Sequence, residues 1–254
     1  MSVGTSAARP PQVVIIDAGM SEHASTSRLA ELISEALTEV AEGTLGGHAA
    51  GNSPEIPGPA LVPAITHIRL RPLAHAIMDA MLTGFPGEDL ASALESLGAA
   101  DGVIALTPTY QGSYSGLFKA FFDCVPEDAL EGTPVLVGAT GGTPRHAFMT
   151  EMAMRPLMVH LHAHVVPTAI YVAAEDWGAH AYDSGGDGGR ALMRRARRGA
   201  RELLEAIAAR QLTSGVVAAA SASAPKENST ISHQATHAES WPDFADFATL
   251  MGRK

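Results

Sequence analysis

The chain has 254 residues, 46% of them hydrophobic, and a formal net charge of -10. That length suits one α/β domain of about 200 residues with additional segments, and the acidic balance argues against a general nucleic-acid binder, which needs clustered Lys and Arg to neutralise phosphates. A single cysteine, Cys124, excludes an intramolecular disulfide and a thiolate-rich metal site.

Residues 1–11 carry neither a basic n-region nor an apolar h-region, so no secretory signal is read there. No apolar run approaches the roughly 18 residues of a membrane span. A soluble, cytoplasmic protein with no membrane partner is expected. Residues 12–18 (QVVIIDA) form a continuous apolar run, the mark of a strand buried on both faces, ended by Gly19. Ser25 and Thr26 are placed to cap a helix that carries Leu29, Ile33, Ala36, Leu37 and Val40 at helical spacing. Residues 42–63, with Gly46, Gly47, Pro54, Pro57, Pro59 and Pro63, read as a surface loop insertion. Residues 65–70 alternate as a second strand, and residues 73–82 and 89–97 are predicted helices. Residues 103–106 form a short buried strand, and residues 115–124 a helix with Leu117, Phe118, Phe121 and Phe122 on its apolar side.

Residues 134–139 are the fourth strand, followed by Gly141 and Gly142. Residues 148–161 read as a helix that Pro156 should kink or break. Residues 164–173 are the fifth strand, residues 178–189 a Gly/Asp loop, and residues 190–210 the closing helix. Strands alternating with helices imply a doubly wound five-stranded parallel sheet, for which the order 2-1-3-4-5 is expected. The domain then spans residues 12–210. Residues 211–254 form a flexible tail ending in a short amphipathic helix with Phe244, Phe247, Leu250 and Met251 on one face.

Three polar loops follow strands, and in an open parallel sheet such loops meet in one crevice. The first holds Ser21, Ser25, Thr26 and Ser27. Hydroxyls and free N–H groups at a helix start suit a phosphate, although an ordinary Ser/Thr cap has the same appearance. Glu22, unfavourable beside an anion, should point outward. The second loop, residues 107–116, has Pro108 to bend the chain, Gly112 to let backbone approach a ligand, and Tyr110 and Tyr114 as aromatic surface. The third, residues 140–146, lacks the Gly-Lys-Ser/Thr ending of a Walker motif. Its Gly141 and Gly142 leave room for a ring plane, and its Arg145 and His146 suit an anionic ligand or a developing negative charge.

Other signals are weaker. His160, His162 and His164 lack the carboxylate or cysteine partners of a metal site, so no metal is expected. Arg194, Arg195, Arg197, Arg198 and Arg201 lie opposite a stripe of Met193, Ala196, Ala200, Leu203 and Ile207 and read as the wet face of a helix. Cys124, beside an apolar helix face, reads as buried and inert.

The combination of PTYQGSYSGLFKAFFD (residues 108–123) with ATGGTPRH (residues 139–146) resembles the NADPH-dependent FMN reductase family of the flavodoxin superfamily, its actinobacterial type in particular. The stretch TAIYVAAEDWG (residues 168–178) is similar to the same group. The resemblance implies a flavodoxin-like fold that binds FMN. By position, Ser21, Ser25, Thr26 and Ser27 match the phosphate loop. Pro108, Thr109, Tyr110, Gln111, Gly112, Ser113 and Tyr114 match the segment along the isoalloxazine ring, and Thr140, Gly141 and Gly142 the segment near its other side. Tyr114 falls where some members carry a tyrosine near a subunit-interface helix, and a homodimer or homotetramer is expected. Two features depart from the pattern. The 42–63 insertion and the tail are additions, and Glu22 or His23 stands where some members carry an arginine.

The expected activity is hydride transfer from NADPH or NADH to FMN, with reduced flavin passed to a partner monooxygenase. The flavin performs the redox chemistry, so no catalytic side chain is named. The alternatives are an FMN-containing quinone, azo or metal-oxyanion reductase, and a non-enzymatic flavodoxin-like electron carrier.

Overall fold

The structure, a computed structural model, describes residues 9–43, 62–177 and 188–223. The expected insertion (mostly residues 44–61), most of the Gly/Asp loop (178–187) and the C-terminal amphipathic helix (within 224–254) lie outside the described residues. The chain divides into a unit of Met1–Val216 and a small one of Val217–Lys254.

Among the described residues seven strands form the sheet: β1 (Gln12–Asp17), β2 (Ala64–Arg69), β3 (Gly102–Tyr110), β4 (Ser113–Tyr114), β5 (Pro134–Gly141), β6 (His164–Val165) and β7 (Ile170–Ala173). The helices are α1 (Ser25–Ala41), α2 (Leu70–Thr83), α3 (Glu88–Gly98), α4 (Gly116–Asp123), α5 (Arg155–His160) and α6 (Gly188–Ser223). The parallel strands run β2-β1-β3-β5, with β6 and β7 both paired to β5. This is the expected flavodoxin-like 2-1-3-4-5 order, enlarged because the last strand is split and a short antiparallel β4 pairs with β3.

Alternation along the strands builds two cores. Val13, Ile15, Ile104 and Leu136 pack with Leu29, Ile33 and Leu37 of α1 and Ala200, Leu203 and Ile207 of α6. Val14, Ile16, Val103, Val135 and Val137 face Ile77, Leu90, Leu97, Phe118 and Phe121 of α2, α3 and α4. Strands covered on both faces are therefore apolar along their centres, which is why residues 13–16 read as an unbroken hydrophobic run.

The expected fifth strand, 164–173, breaks between Val165 and Ile170. Pro167 has no N–H for the ladder, and the freed groups are satisfied from elsewhere. The Arg155 guanidinium donates to the carbonyls of Val166 and Pro167, each at 3.1 Å, and Glu202 accepts the Thr168 N–H at 2.7 Å and its hydroxyl at 2.8 Å. The predicted 148–161 helix is likewise two pieces. A π-helical turn, Thr150–Met154, precedes α5, and Pro156 occupies the start of α5. Proline removes one i→i−4 bond and crowds the carbonyl four residues back, and a π turn relieves both.

The closing helix outruns its expected end at Arg210 and continues to Ser223, so the first part of the expected flexible tail is helical. Its arginines are more engaged than a plain wet face implies. Arg197 makes a two-pronged pair with Glu39 of α1 at 2.8 and 3.1 Å, which holds the Glu39 carboxyl below its ordinary range. Arg198 pairs with Glu202, and Arg195 with Asp176. Among the described residues no helix is long and apolar enough to cross a membrane.

Candidate functional site

The carboxyl ends of β1, β3, β5 and β7 lie along one edge of the sheet, and the loops that leave them enclose a cavity of about 570 Å³. Of the predicted residues, Ser21, Ser25 and Thr26 of the first loop, Pro108, Thr109 and Tyr110 at the end of β3, and Thr140, Gly141 and Gly142 at the end of β5 all line it. Three turns far apart in sequence thus share one crevice, as the parallel topology requires.

The start of α1 differs from the expected cap. Its N-cap is Ala24, no side chain caps it, and its first turn holds no acidic residue. The hydroxyls of Ser25 and Thr26 are therefore not spent on ordinary capping, and the N–H groups of the first turn are left for another acceptor. The Thr26 and Thr140 hydroxyls share a hydrogen bond of 3.0 Å, which ties the first loop to the third in a buried position.

Ser27 is held apart from this cavity. Its hydroxyl donates to Asp17 Oδ2 at 2.6 Å, and it lines a smaller cavity on the other side of the loop. Asp17 closes β1 and is almost fully buried. Its carboxylate also accepts the Gly19 N–H at 2.8 Å and faces His67 Nε2 at 3.2 Å. Burial pushes the Asp17 carboxyl up, but the hydrogen bonds from His67, Ser27 and Gly19, with the nearby imidazole charge, outweigh it and hold the group below the usual carboxylate range. Glu22 is exposed, as expected.

The second loop is shorter than expected because β3 runs on through Thr107–Tyr110. Gln111 (φ 50°) and Gly112 (φ 79°) form a two-residue turn into β4. Two consecutive positive φ values are the signature of a tight hairpin, so Gly112 serves the turn. A Cβ there would meet open space, not a ligand wall. Gln111, Gly112, Ser113 and Tyr114 consequently stand outside the cavity lining, and Tyr114 leans on Phe118 with ring centroids 5.7 Å apart. Thr107 Oγ1 accepts the Ser115 N–H at 3.0 Å, and Ser115 caps α4 by accepting the Phe118 N–H at 3.2 Å.

In the third loop the two glycines have different reasons. A side chain at Gly141 would run into the Tyr171 hydroxyl, which donates to the Thr143 carbonyl at 2.9 Å, so packing within the protein accounts for that glycine. Gly142 faces open space on the cavity wall. Arg145 and His146 lie exposed in a 3-10 turn, Pro144–His146, and are not among the lining residues.

Sequence reasoning missed the fourth wall. Ala174 and Trp177, from the 3-10 turn after β7, complete the cavity, joined by Met20, His23 and Ala24 of the first loop. The Arg28 guanidinium covers the Trp177 ring at 4.4 Å. Two buried polar atoms of the lining have no partner among the described residues: Thr109 Oγ1 and Trp177 Nε1. The available signal was Trp177 itself, inside the stretch 168–178 that carried part of the resemblance.

The three histidines 160, 162 and 164 are divided among the end of α5, a left-handed residue (His162, φ 59°) and β6. Cys124 is only half-buried, with its sulfur 3.8 Å from the Ile77 carbonyl; burial, with the Asp123 charge, pushes the thiol up.

A profile described as NADPH-dependent FMN reductase matches residues 11–178. The chain is 35% identical over 113 residues to the NADH-dependent FMN reductase SfnF of Pseudomonas putida, a match covering 44% of this chain and 61% of that protein. It is 37% identical over 93 residues to the FMN reductase (NADPH) of Escherichia coli strain K12, covering 37% and 49% respectively. The chain thus spans about half the length of the curated relatives it matches. An oxidoreductase from Corynebacterium diphtheriae, solved by X-ray crystallography, superposes with a TM-score of 0.66 at 34% identity, covering 79% of this chain and 98% of that one. The apo form of the NADH:FMN oxidoreductase EmoB superposes at 0.56 with 25% identity, covering 76% and 90%. The chain belongs to the NADPH-dependent FMN reductase family.

Proposed function

We propose that this protein is an NAD(P)H-dependent FMN reductase. One observation carries the reading: a cavity on the strand-carboxyl edge, built from all three polar loops, in which Thr109 Oγ1 and Trp177 Nε1 are buried without partners among the described residues. Leaving such groups unpaired costs about 1–3 kcal/mol each, a cost that a ligand relieves when it draws either side chain round to face the cavity. The cavity size lies within the range of small-molecule sites.

The residues present fit FMN. The uncapped start of α1, with the Ser21 and Ser25 hydroxyls, offers donors to the phosphate, while the Thr26–Thr140 hydrogen bond fixes the first and third loops beside it. Pro108, Thr109 and Tyr110 flank one side of the ring site and Thr140–Gly142 the other, with Trp177 as a further wall. Bound there, the flavin supplies the redox chemistry itself. The chain's part is to hold it, exclude water from its edge and, at Gly142, leave one face clear for a nicotinamide. Gln111–Tyr114 belong to this reading only as the hairpin that positions Tyr110.

The products and partners follow from that site. Reduced flavin is released to a partner monooxygenase, and dependence on NADPH or NADH suits a cytoplasmic protein. A homo-oligomer, dimer or tetramer, is supported by apolar side chains left in solvent at the end of α2, where Leu82 is 79% and Phe85 80% exposed.

Stopped-flow absorbance of NADPH oxidation, with and without added FMN, tests the activity. Turnover that requires added FMN supports the reading. Turnover without it, together with flavin that co-purifies, points to the prosthetic-flavin reductases. FMN binding without NADPH or NADH oxidation identifies an electron carrier and refutes the reading.

A further inference from the structure

The smaller cavity, about 260 Å³, lies between the first loop and the junction of β2 with α2, and shares Ser21 with the larger one. Arg69 and Arg71 line it from the far side, with Pro72. Both arginines are exposed, and neither makes an ion pair or side-chain hydrogen bond among the described residues. They flank the first turn of α2, which has no side-chain cap and no acidic residue, so backbone partial charge and two guanidinium groups act in the same place. Two carboxylates also line the cavity. Asp17 is already committed to Ser27, Gly19 and His67, and Glu22 lies exposed on the rim without pairing to either arginine. Two planar, five-donor cations at a helix start, unpaired among the described residues, form an arrangement suited to a phosphate.

From this we infer that Arg69 and Arg71 form a second phosphate subsite, distinct from the flavin phosphate loop, that takes a phosphate of the nicotinamide nucleotide. The inference rests on the proposed reductase reading. The flavin phosphate has its own donors at α1, and a dinucleotide whose nicotinamide reaches the open face at Gly142 still has phosphates to place. Ser21, on the wall of each cavity, connects the two sites.

The test is the double substitution Arg69→Gln with Arg71→Gln, at exposed positions without partners among the described residues. Steady-state KM is measured for NADPH, NADH and FMN. In parallel, adenosine 2′,5′-bisphosphate and adenosine 5′-monophosphate are titrated calorimetrically into each protein. A rise in the NADPH KM of about tenfold or more, with NADH unchanged, assigns the subsite to the 2′-phosphate. An equal rise for both nucleotides assigns it to the pyrophosphate. Either supports the subsite, as does bisphosphate binding that is weaker in the variant. Unchanged KM for both nucleotides overturns it, as does a loss confined to FMN, which would place the flavin phosphate here. If wild-type protein oxidises neither nucleotide, the reductase reading fails by itself, and the titrations alone decide the subsite: equal binding to the two proteins then overturns it.

Discussion

Thr109→Val offers a test whose sign depends on the ligand. The Thr109 hydroxyl is buried at the cavity without a partner among the described residues. Valine keeps the β-branched shape that suits β3 and removes only the unsatisfied oxygen. An unpaired buried polar group costs about 1–3 kcal/mol. In ligand-free protein the variant should therefore be as stable as wild type, or more stable by about 1 kcal/mol, which for a domain of this size is about 2–4 °C in Tm. With saturating FMN the order reverses. Wild type gains a hydrogen bond worth about 0.5–1.5 kcal/mol, so the FMN Kd of the variant should weaken about two- to tenfold. Thermal melts with and without FMN, and a flavin-fluorescence titration, read both halves. A variant that melts several degrees lower without ligand, or binds FMN as tightly as wild type, refutes the assignment of this hydroxyl to the ligand. Trp177→Phe should show the same loss of affinity, since phenylalanine keeps a ring face for Arg28 but has no N–H.

The remaining expectations concern the loops. Ser25→Ala should weaken FMN more than riboflavin in equilibrium titrations, because only FMN carries the phosphate proposed to meet this hydroxyl. Gly141→Ala should destabilise by about 1–3 kcal/mol through overpacking, and Tyr171→Phe, which removes the obstructing hydroxyl, should recover part of that loss in denaturant melts. Gly142→Leu should leave Tm near wild type, because the position faces open space, yet suppress NADPH oxidation. Asp17 gives a pH dependence. Its carboxyl in the folded chain titrates below the ordinary aspartate value, so its stabilising contribution is complete above that ordinary value and is lost as pH falls through the folded pKa. Asp17→Asn should lower stability at neutral pH by about 1.5–3 kcal/mol and flatten the acid limb of the stability profile.

Much of the fold was legible because the physics is local. Residues 13–16 and 134–139 are apolar throughout since helices cover both sheet faces, and strand–helix alternation fixes a parallel sheet whose loops converge on one edge. The errors arose where distant residues decide a local outcome. The break at Val166–Ala169 is stabilised by Arg155 and Glu202, neither adjacent to it in sequence. The β3–β4 hairpin escaped notice because Gln111 takes a left-handed conformation that Asn, Asp or Gly would have announced. Trp177 became a cavity wall only once β7 had been placed beside β5.

The serine-rich loop shows how residues that look alike in sequence take different places in the fold. Four hydroxyl residues read as four equivalent phosphate donors. The fold uses Ser27 differently. Together with Gly19 it binds Asp17 and anchors the loop to the end of β1. A carboxylate so close to a proposed anion site would be repulsive if it were free. Three donors converge on it, so its charge is spent on fixing the chain just before α1 starts. That anchor lets Ala24, a residue with no capping side chain, begin the helix and leaves its first N–H groups without an internal acceptor. On the proposed reading, a phosphate at this helix start depends on a buried negative charge at the end of the preceding strand. Asp17→Asn should impair FMN binding relative to riboflavin even though Asp17 lies outside the larger cavity; equal affinities for the two flavins, unchanged from wild type, would show that the loop keeps its shape without the anchor.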